Sequence, residues 1–165
     1  MDEYADKCAA AEAAGRLEAA AELCRRAWTN TRVGNLGAED ESRTLYNLGR
    51  VLKKNRKFQD AEAALKRSLE LEQPISGAES EKTGRRLAEL VTVIASQGRF
   101  MEGVPYMEQL APIAPKYRGA ERNYAGGLFY VYGDELRRLG NIEKANSFEA
   151  VPTAMGVKRS DTPGG

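Results

Sequence analysis

Four short stretches of this chain share one form and one interval. AGRLEAA (14–20), NRKFQDA (55–61), QGRFMEG (97–103) and LGNIEKA (139–145) each read as a turn-type pair, an apolar residue, then a small residue three places on. Their turn positions, Gly15, Arg56, Gly98 and Gly140, stand 41, 42 and 42 residues apart. A second mark keeps the same interval: Gly-Ala-Glu returns at Gly37, Gly77 and Gly119, 40 and 42 residues apart. Two independent motifs on one beat mean internal repetition, and a repetitive chain folds as an array of like units.

The unit is a pair of helices. Upstream of the turns, apolar residues fall at intervals of three and four: Leu45, Leu48, Leu52; Leu87, Leu90, Ile94; Phe129, Tyr132, Leu136. That spacing makes one face of an α-helix. Downstream, FQDAEAALKRSLELE carries Phe58, Ala61, Leu65 and Leu69 on a second stripe. The β-branched run VTVIA (91–95) lies inside the helical frame and reads as helix. Helix, tight turn, helix, linker, repeated, predicts an all-α array of hairpins. The Gly-Ala-Glu marks then sit where one hairpin ends and the next begins. Glycine takes the left-handed backbone that stops a helix, and the acid after it suits the next N-terminus.

Composition agrees with such an array. Of 165 residues, 42% are hydrophobic and 30% charged, enough for a substantial core under a charged helical surface. The formal net charge of +1 supplies no global field for nucleic acid or an anionic membrane. No apolar run approaches the roughly 20 residues that cross a bilayer. The chain opens MDEYADKC, without the basic and apolar stretches of a secretory leader, and ends KRSDTPGG, which reads as a disordered tail over 158–165.

Small residues mark the seam between paired helices. Gly49 with Ala61, Cys8 with Ala20, and Gly133 with Ala145 occupy equivalent places; in the third unit Gly103 fits and Val91 does not. With LYNLG before the turn, an aromatic after it and Ala61 three places later, the unit resembles the tetratricopeptide repeat, ordinarily of about 34 residues. The longer beat and the glycine-marked linker are similar to the kinesin-light-chain type. Gly77 stands ten residues before Leu87 and Gly119 ten before Phe129, with Gly37 eight before Leu45. The His-Pro pair usual in that linker and a second Asn are absent. The resemblance covers residues 1 to about 151. It implies a right-handed superhelix, an α-solenoid of four hairpins over 1–157, with repeats near 1–41, 42–83, 84–125 and 126–157.

The chemistry-bearing residues argue against an enzyme. With no histidine, the chain lacks a general base whose ordinary pKa is near neutrality. No nucleophile elbow or metal motif is present, and YAGGLF (124–129) lacks the lysine and hydroxyl of a phosphate loop. Gly126 and Gly127 read as helix-start flexibility or close packing. No catalytic residue, metal, cofactor or small-molecule substrate is expected. Cys8 and Cys24 are open to three readings: a metal pair, a disulfide, or buried thiols. The missing histidine and third cysteine exclude zinc. Buried thiols are the expectation, with a disulfide the alternative for an oxidising compartment.

Surface remains as the carrier of function. In stacked hairpins the first helices line a concave face that takes a peptide or a partner's helix. Counted from the packing residues, that face holds Arg43, Tyr46, Asn47, Arg50 and Lys54. It continues with Arg85, Glu89 and Thr92, then Tyr130, Asp134 and Arg137; the first unit offers Asp2, Ala5, Asp6 and Ala9. A basic centre with two tyrosines, flanked by acids, suits an acidic segment. The resemblance places Asn47 where tetratricopeptide domains grip a bound peptide's backbone. Ala5, Ala9 and Glu89 stand where clamps for chaperone-tail carboxylates carry other residues, which disfavours that ligand.

The reading is a protein-interaction module with a protein or peptide partner. The alternatives are a scaffold that self-associates into a homo-oligomer and a regulatory subunit of a larger assembly. Cytoplasm is the default location. A first helix starting so close to Met1 points to the alternative, a periplasmic or lipid-anchored protein whose leader has been removed.

Overall fold

The seam residues, the turns and the apolar stripes all lie where an array of hairpins needs them. A computed structural model describes residues 3–163. Among them are α1 (Glu3–Ala13), α2 (Leu17–Val33), α3 (Ala38–Lys54), α4 (Phe58–Ser76), α5 (Glu81–Ser96), α6 (Phe100–Leu110), α7 (Gly119–Arg138) and α8 (Ile142–Met155). Short 3-10 turns follow at Ala114–Lys116 and Arg159–Asp161, and no strand occurs among the described residues. The helices pair as α1/α2, α3/α4, α5/α6 and α7/α8. α3, α5 and α7 each begin before the expected repeat boundaries at 42, 84 and 126, because the acidic residues behind each linker already belong to a first helical turn.

The four hairpin turns are built alike. Gly15, Arg56, Gly98 and Gly140 have φ of 75°, 60°, 73° and 85°. In each, the next residue's backbone N–H donates back to a carbonyl five residues earlier: Arg16 to Ala11, Lys57 to Leu52, Arg99 to Ile94 and Asn141 to Leu136. These bonds satisfy helix-end carbonyls that would otherwise be orphaned. Of these four turn residues, only Arg56 accepts the left-handed backbone without being glycine.

Residues divide into two compact units, Met1–Ala78 and Glu79–Gly165. In the first, α1 and α2 meet over Ala11, Ala20, Ala21 and Ala27, all at most 2% exposed. Cys8 and Cys24 are joined in a disulfide with Cα atoms 5.3 Å apart. The expectation of two free buried thiols is therefore corrected: both are buried, but the closeness of an alanine seam brings them within bonding distance. In α3/α4 a Cβ on Gly49 would lie 2.5 Å from Leu65 Cγ, so the backbone approach requires glycine. At the helix ends away from that turn, Ser42 and Ser68 hydroxyls meet at 3.2 Å, and Ser42 donates to Glu72 Oε1 at 3.0 Å.

The second unit is packed with rings. Phe129 and Phe148 meet edge to face at 5.7 Å, and Phe100 and Tyr132 at 5.1 Å. Tyr132 lies over Gly103, and its hydroxyl donates to the Val91 carbonyl at 2.7 Å. This accounts for the third hairpin's departure from the small-residue pattern: the space over Gly103 receives a tyrosine from α7. The linker after α6 is drawn into the core, with Ile113 and Tyr117 buried and the Tyr117 hydroxyl donating to Glu81 O at 2.6 Å.

Residues 158–163, expected as part of a disordered tail, are instead ordered against α7. Gly156 (φ 75°) ends α8 and turns the chain, Val157 is 3% exposed, and Arg159–Asp161 forms the 3-10 turn. Composition misjudged this segment because what holds it is tertiary: buried Val157 just before it and the pairing of Arg159 with Asp134 and Glu149.

Candidate functional site

On α3, three stripes do different work. Ser42, Leu45, Gly49 and Leu52 are buried, as are Thr44, Leu48 and Val51, whereas Tyr46, Asn47 and Arg50 are half-buried and Arg43 and Lys54 exposed. The last five residues are those expected to bind a partner. Arg43 pairs with Asp40 of its own helix at 2.6 Å. The Arg50 guanidinium lies 5.9 Å from the Tyr46 ring centre and bonds Glu12 of α1 at 2.9 Å. Lys54 reaches the same Glu12 oxygen. Burial pushes the Glu12 carboxyl up, but the Lys54 hydrogen bond and the charges of Arg50 and Lys54 together hold it below its ordinary 4.5. The expected basic centre thus carries its own counter-ion. Asn47 differs, since no hydrogen bond to its amide is found among the described residues. Ala5 is half-buried and Asp6 and Ala9 exposed on α1, and Asp2 lies outside the described residues.

In the second unit, Arg85 makes a two-pronged bond to Glu121 of α7, at 2.7 and 3.2 Å. That hydrogen bond, opposed by burial and aided by the Arg85 charge, holds Glu121 below the usual carboxylate range. Glu89 is half-buried, and Thr92 shares a hydroxyl–hydroxyl bond of 2.6 Å with Tyr124. Burial raises the Tyr124 phenol to about 12, against the Thr92 hydrogen bond and with the aid of the Glu89 charge. Tyr130 and Asp134 come together around Arg159, a residue that sequence reasoning left in the tail. Arg137 turns away to Asn146 at 2.8 Å and Glu149 at 3.0 Å of α8.

Glu12, Glu121 and Arg159 were missed. The first two had a legible signal. Lys54 follows Glu12 by 42 residues and Arg50 by 38, while Glu121 follows Arg85 by 36. In stacked hairpins, equivalent positions of successive first helices are neighbours, so opposite charges about one beat apart can pair. Arg159 lies beyond the last hairpin, and the beat says nothing of it.

The comparisons with known proteins agree with this architecture. Residues 42–74, which make up most of the α3/α4 hairpin, match the tetratricopeptide repeat model. No match is found among curated proteins. Among solved structures, BtubC (BKLC) from P. vanneervenii superposes with a TM-score of 0.76 at 20% identity, over 93% of this chain and 63% of that one. TPR-like repeats of the kinesin-light-chain kind from Podosopora anserina give a TM-score of 0.71 at 18% identity, over 93% of this chain and 73% of theirs. The chain thus spans less than two thirds of BtubC, and at such identities the likeness is one of fold. Among the described residues no helix is long and apolar enough to cross a membrane. By fold the chain is an all-α protein of tetratricopeptide-type hairpins similar to kinesin-light-chain repeats, and its second hairpin matches the tetratricopeptide repeat model by sequence as well.

Proposed function

We propose that this chain is a protein-interaction module whose α3 face, centred on Tyr46, Asn47 and Arg50, holds an extended peptide or a partner's helix. One observation carries the reading. Asn47 presents a half-buried amide with donor and acceptor uncommitted among the described residues, while the cations around it are paired within the protein. Such an amide can satisfy a peptide backbone's N–H and C=O whatever the side chains. An acidic partner residue would compete with Glu12 for Arg50 and Lys54, and with Asp40 for Arg43. The charge pairs then set register and on-rate more than affinity.

The test is to pan a displayed peptide library on the protein and titrate the selected peptides calorimetrically. Asn47→Ala should weaken them by about 1–3 kcal/mol through the lost pairing. Arg50→Glu should weaken acidic ones further and reverse their salt dependence, with Arg67→Glu on the exposed side of α4 as the neutral control. Selected peptides that bind Asn47→Ala as well as the parent would end the reading. Concentration-independent light scattering separates it from self-association.

We infer an oxidising compartment from the Cys8–Cys24 bond, since reducing cell interiors keep such thiols apart. The mass of protein from its native source, before and after reduction, tests that inference.

A further inference from the structure

The last ordered segment crosses α7 as a peptide ligand crosses a receptor. A Cβ on Gly126 would lie 2.9 Å from Val157 Cγ1, and one on Gly127 2.9 Å from Thr162 Cβ, so both glycines leave room for a chain above the helix. The Tyr130 hydroxyl donates to the Val157 carbonyl at 2.7 Å. Arg159 grips Asp134 through both terminal nitrogens at 2.8 Å each, and its guanidinium lies 4.5 Å from the Tyr130 ring centre. Glu149 of α8 adds a second carboxylate 3.5 Å from Arg159. The segment holds its own shape through Thr162 Oγ to Arg159 O at 2.8 Å and Lys158 N to Asp161 at 3.0 Å.

We propose that the α7 face of Gly126, Gly127, Tyr130 and Asp134 is a receptor for a short, turned, arginine-bearing peptide, with residues 157–162 as its resident occupant. The contacts are those of recognition: a hydroxyl to a main-chain carbonyl, one small aliphatic anchor, and a forked guanidinium–carboxylate pair set on an aromatic ring. They are also exchangeable. Arg159 and Asp134 are 53% and 56% exposed, so their pairing is screened and weak, and Val157 is the one deeply buried anchor. A partner with a small aliphatic residue two places before an arginine would meet the same groups, once it displaces the tethered segment. This rests on the reading of first-helix faces as peptide-binding, but uses a different helix and the opposite charge preference from the α3 face.

The probe is a fluorescent synthetic peptide of residues 156–163, measured by polarisation against the intact chain and a chain ending at Gly156. The shortened chain should bind it, and the intact chain at least about tenfold more weakly, because the tethered copy competes at an effective concentration near millimolar. Arg159→Glu in the peptide, or Asp134→Lys in the shortened chain, should weaken binding several-fold, because a screened attraction becomes a repulsion. Asn47→Ala should leave it unchanged, which separates failure here from failure of the α3 reading. A second measurement needs only the intact chain: Asp134→Lys should speed tryptic cleavage after Lys158 and Arg159 several-fold while leaving helicity and Tm near the parent's. A folded shortened chain that ignores the peptide overturns the proposal. So does a segment equally protected in the Asp134→Lys variant, and this second result decides the matter if the shortened chain does not fold.

Discussion

The first and fourth hairpins solve one problem by different means. α1 buries only Cys8 and Ala11 against the alanines of α2, whereas α8 buries Ala145, Phe148, Pro152 and Met155, with Phe148 edge to face on Phe129 of α7. Alanine removes little apolar surface from water, and a ring removes a great deal. The alanine seam carries a covalent link between its helices, and the aromatic seam has none. Small side chains bring backbones close, which weakens burial and at the same time permits the disulfide. The comparison teaches that a repeat can keep its geometry while exchanging the source of its stability.

The largest expected effect tests the aromatic side of this contrast. Phe148→Ala should cost about 3–5 kcal/mol, seen in denaturant melts, since the ring is buried edge to face against Phe129. A loss below 1 kcal/mol would show that the fourth hairpin does not depend on its rings. Next, Cys24→Ala should cost about 3 kcal/mol, because the bridge closes a loop with a sequence separation of 16. Reductant should lower the parent's stability by a similar amount and leave the variant untouched. A parent insensitive to reductant would remove the covalent half of the comparison.

A smaller effect concerns what else holds α1. Glu12 joins α1 to Arg50 and Lys54 of α3, with its pKa held below the ordinary 4.5. A depressed folded pKa contributes stability above the unfolded value and loses it as pH falls through the folded value. Glu12→Gln should therefore be less stable than the parent at neutral pH, by about 1 kcal/mol after allowing for the half-exposed Lys54. That difference should shrink as pH drops below 4.5. A gap that persists in acid would mean that Glu12 acts through packing. The smallest effect is at the turns. Arg56 holds a φ of 60° where the other three hairpins use glycine, so Arg56→Gly should stabilise by about 0.5–1 kcal/mol in thermal melts, less whatever its 5.4 Å stacking on Phe58 contributes.

Much of the candidate site was legible, but in its positions and not in its pairings. Counting from Leu45, Gly49 and Leu52 put Tyr46, Asn47 and Arg50 on the accessible stripe of α3, because helical periodicity alone decides which residues share a face. Periodicity does not say that Glu12 reaches Arg50 and Lys54, or that Glu121 reaches Arg85; those depend on how far one first helix sits from the next. Gly126 and Gly127 were open to helix-start flexibility or close packing; they lie inside α7 and pack closely on Val157 and Thr162, a segment the sequence did not place there.

The sequence by itself determined the beat, the turn positions Gly15, Arg56, Gly98 and Gly140, and the small-residue seams. These follow from backbone sterics and side-chain volume acting over a few residues, and they recur wherever the motif recurs. Only the tertiary structure decided that Cys8 bonds Cys24, that Tyr132 fills the space over Gly103, and that Arg159 lies on Tyr130 and Asp134. Each of these joins residues whose chemistry permits several partners, and the choice among partners is made by distances that exist only once the helices have packed.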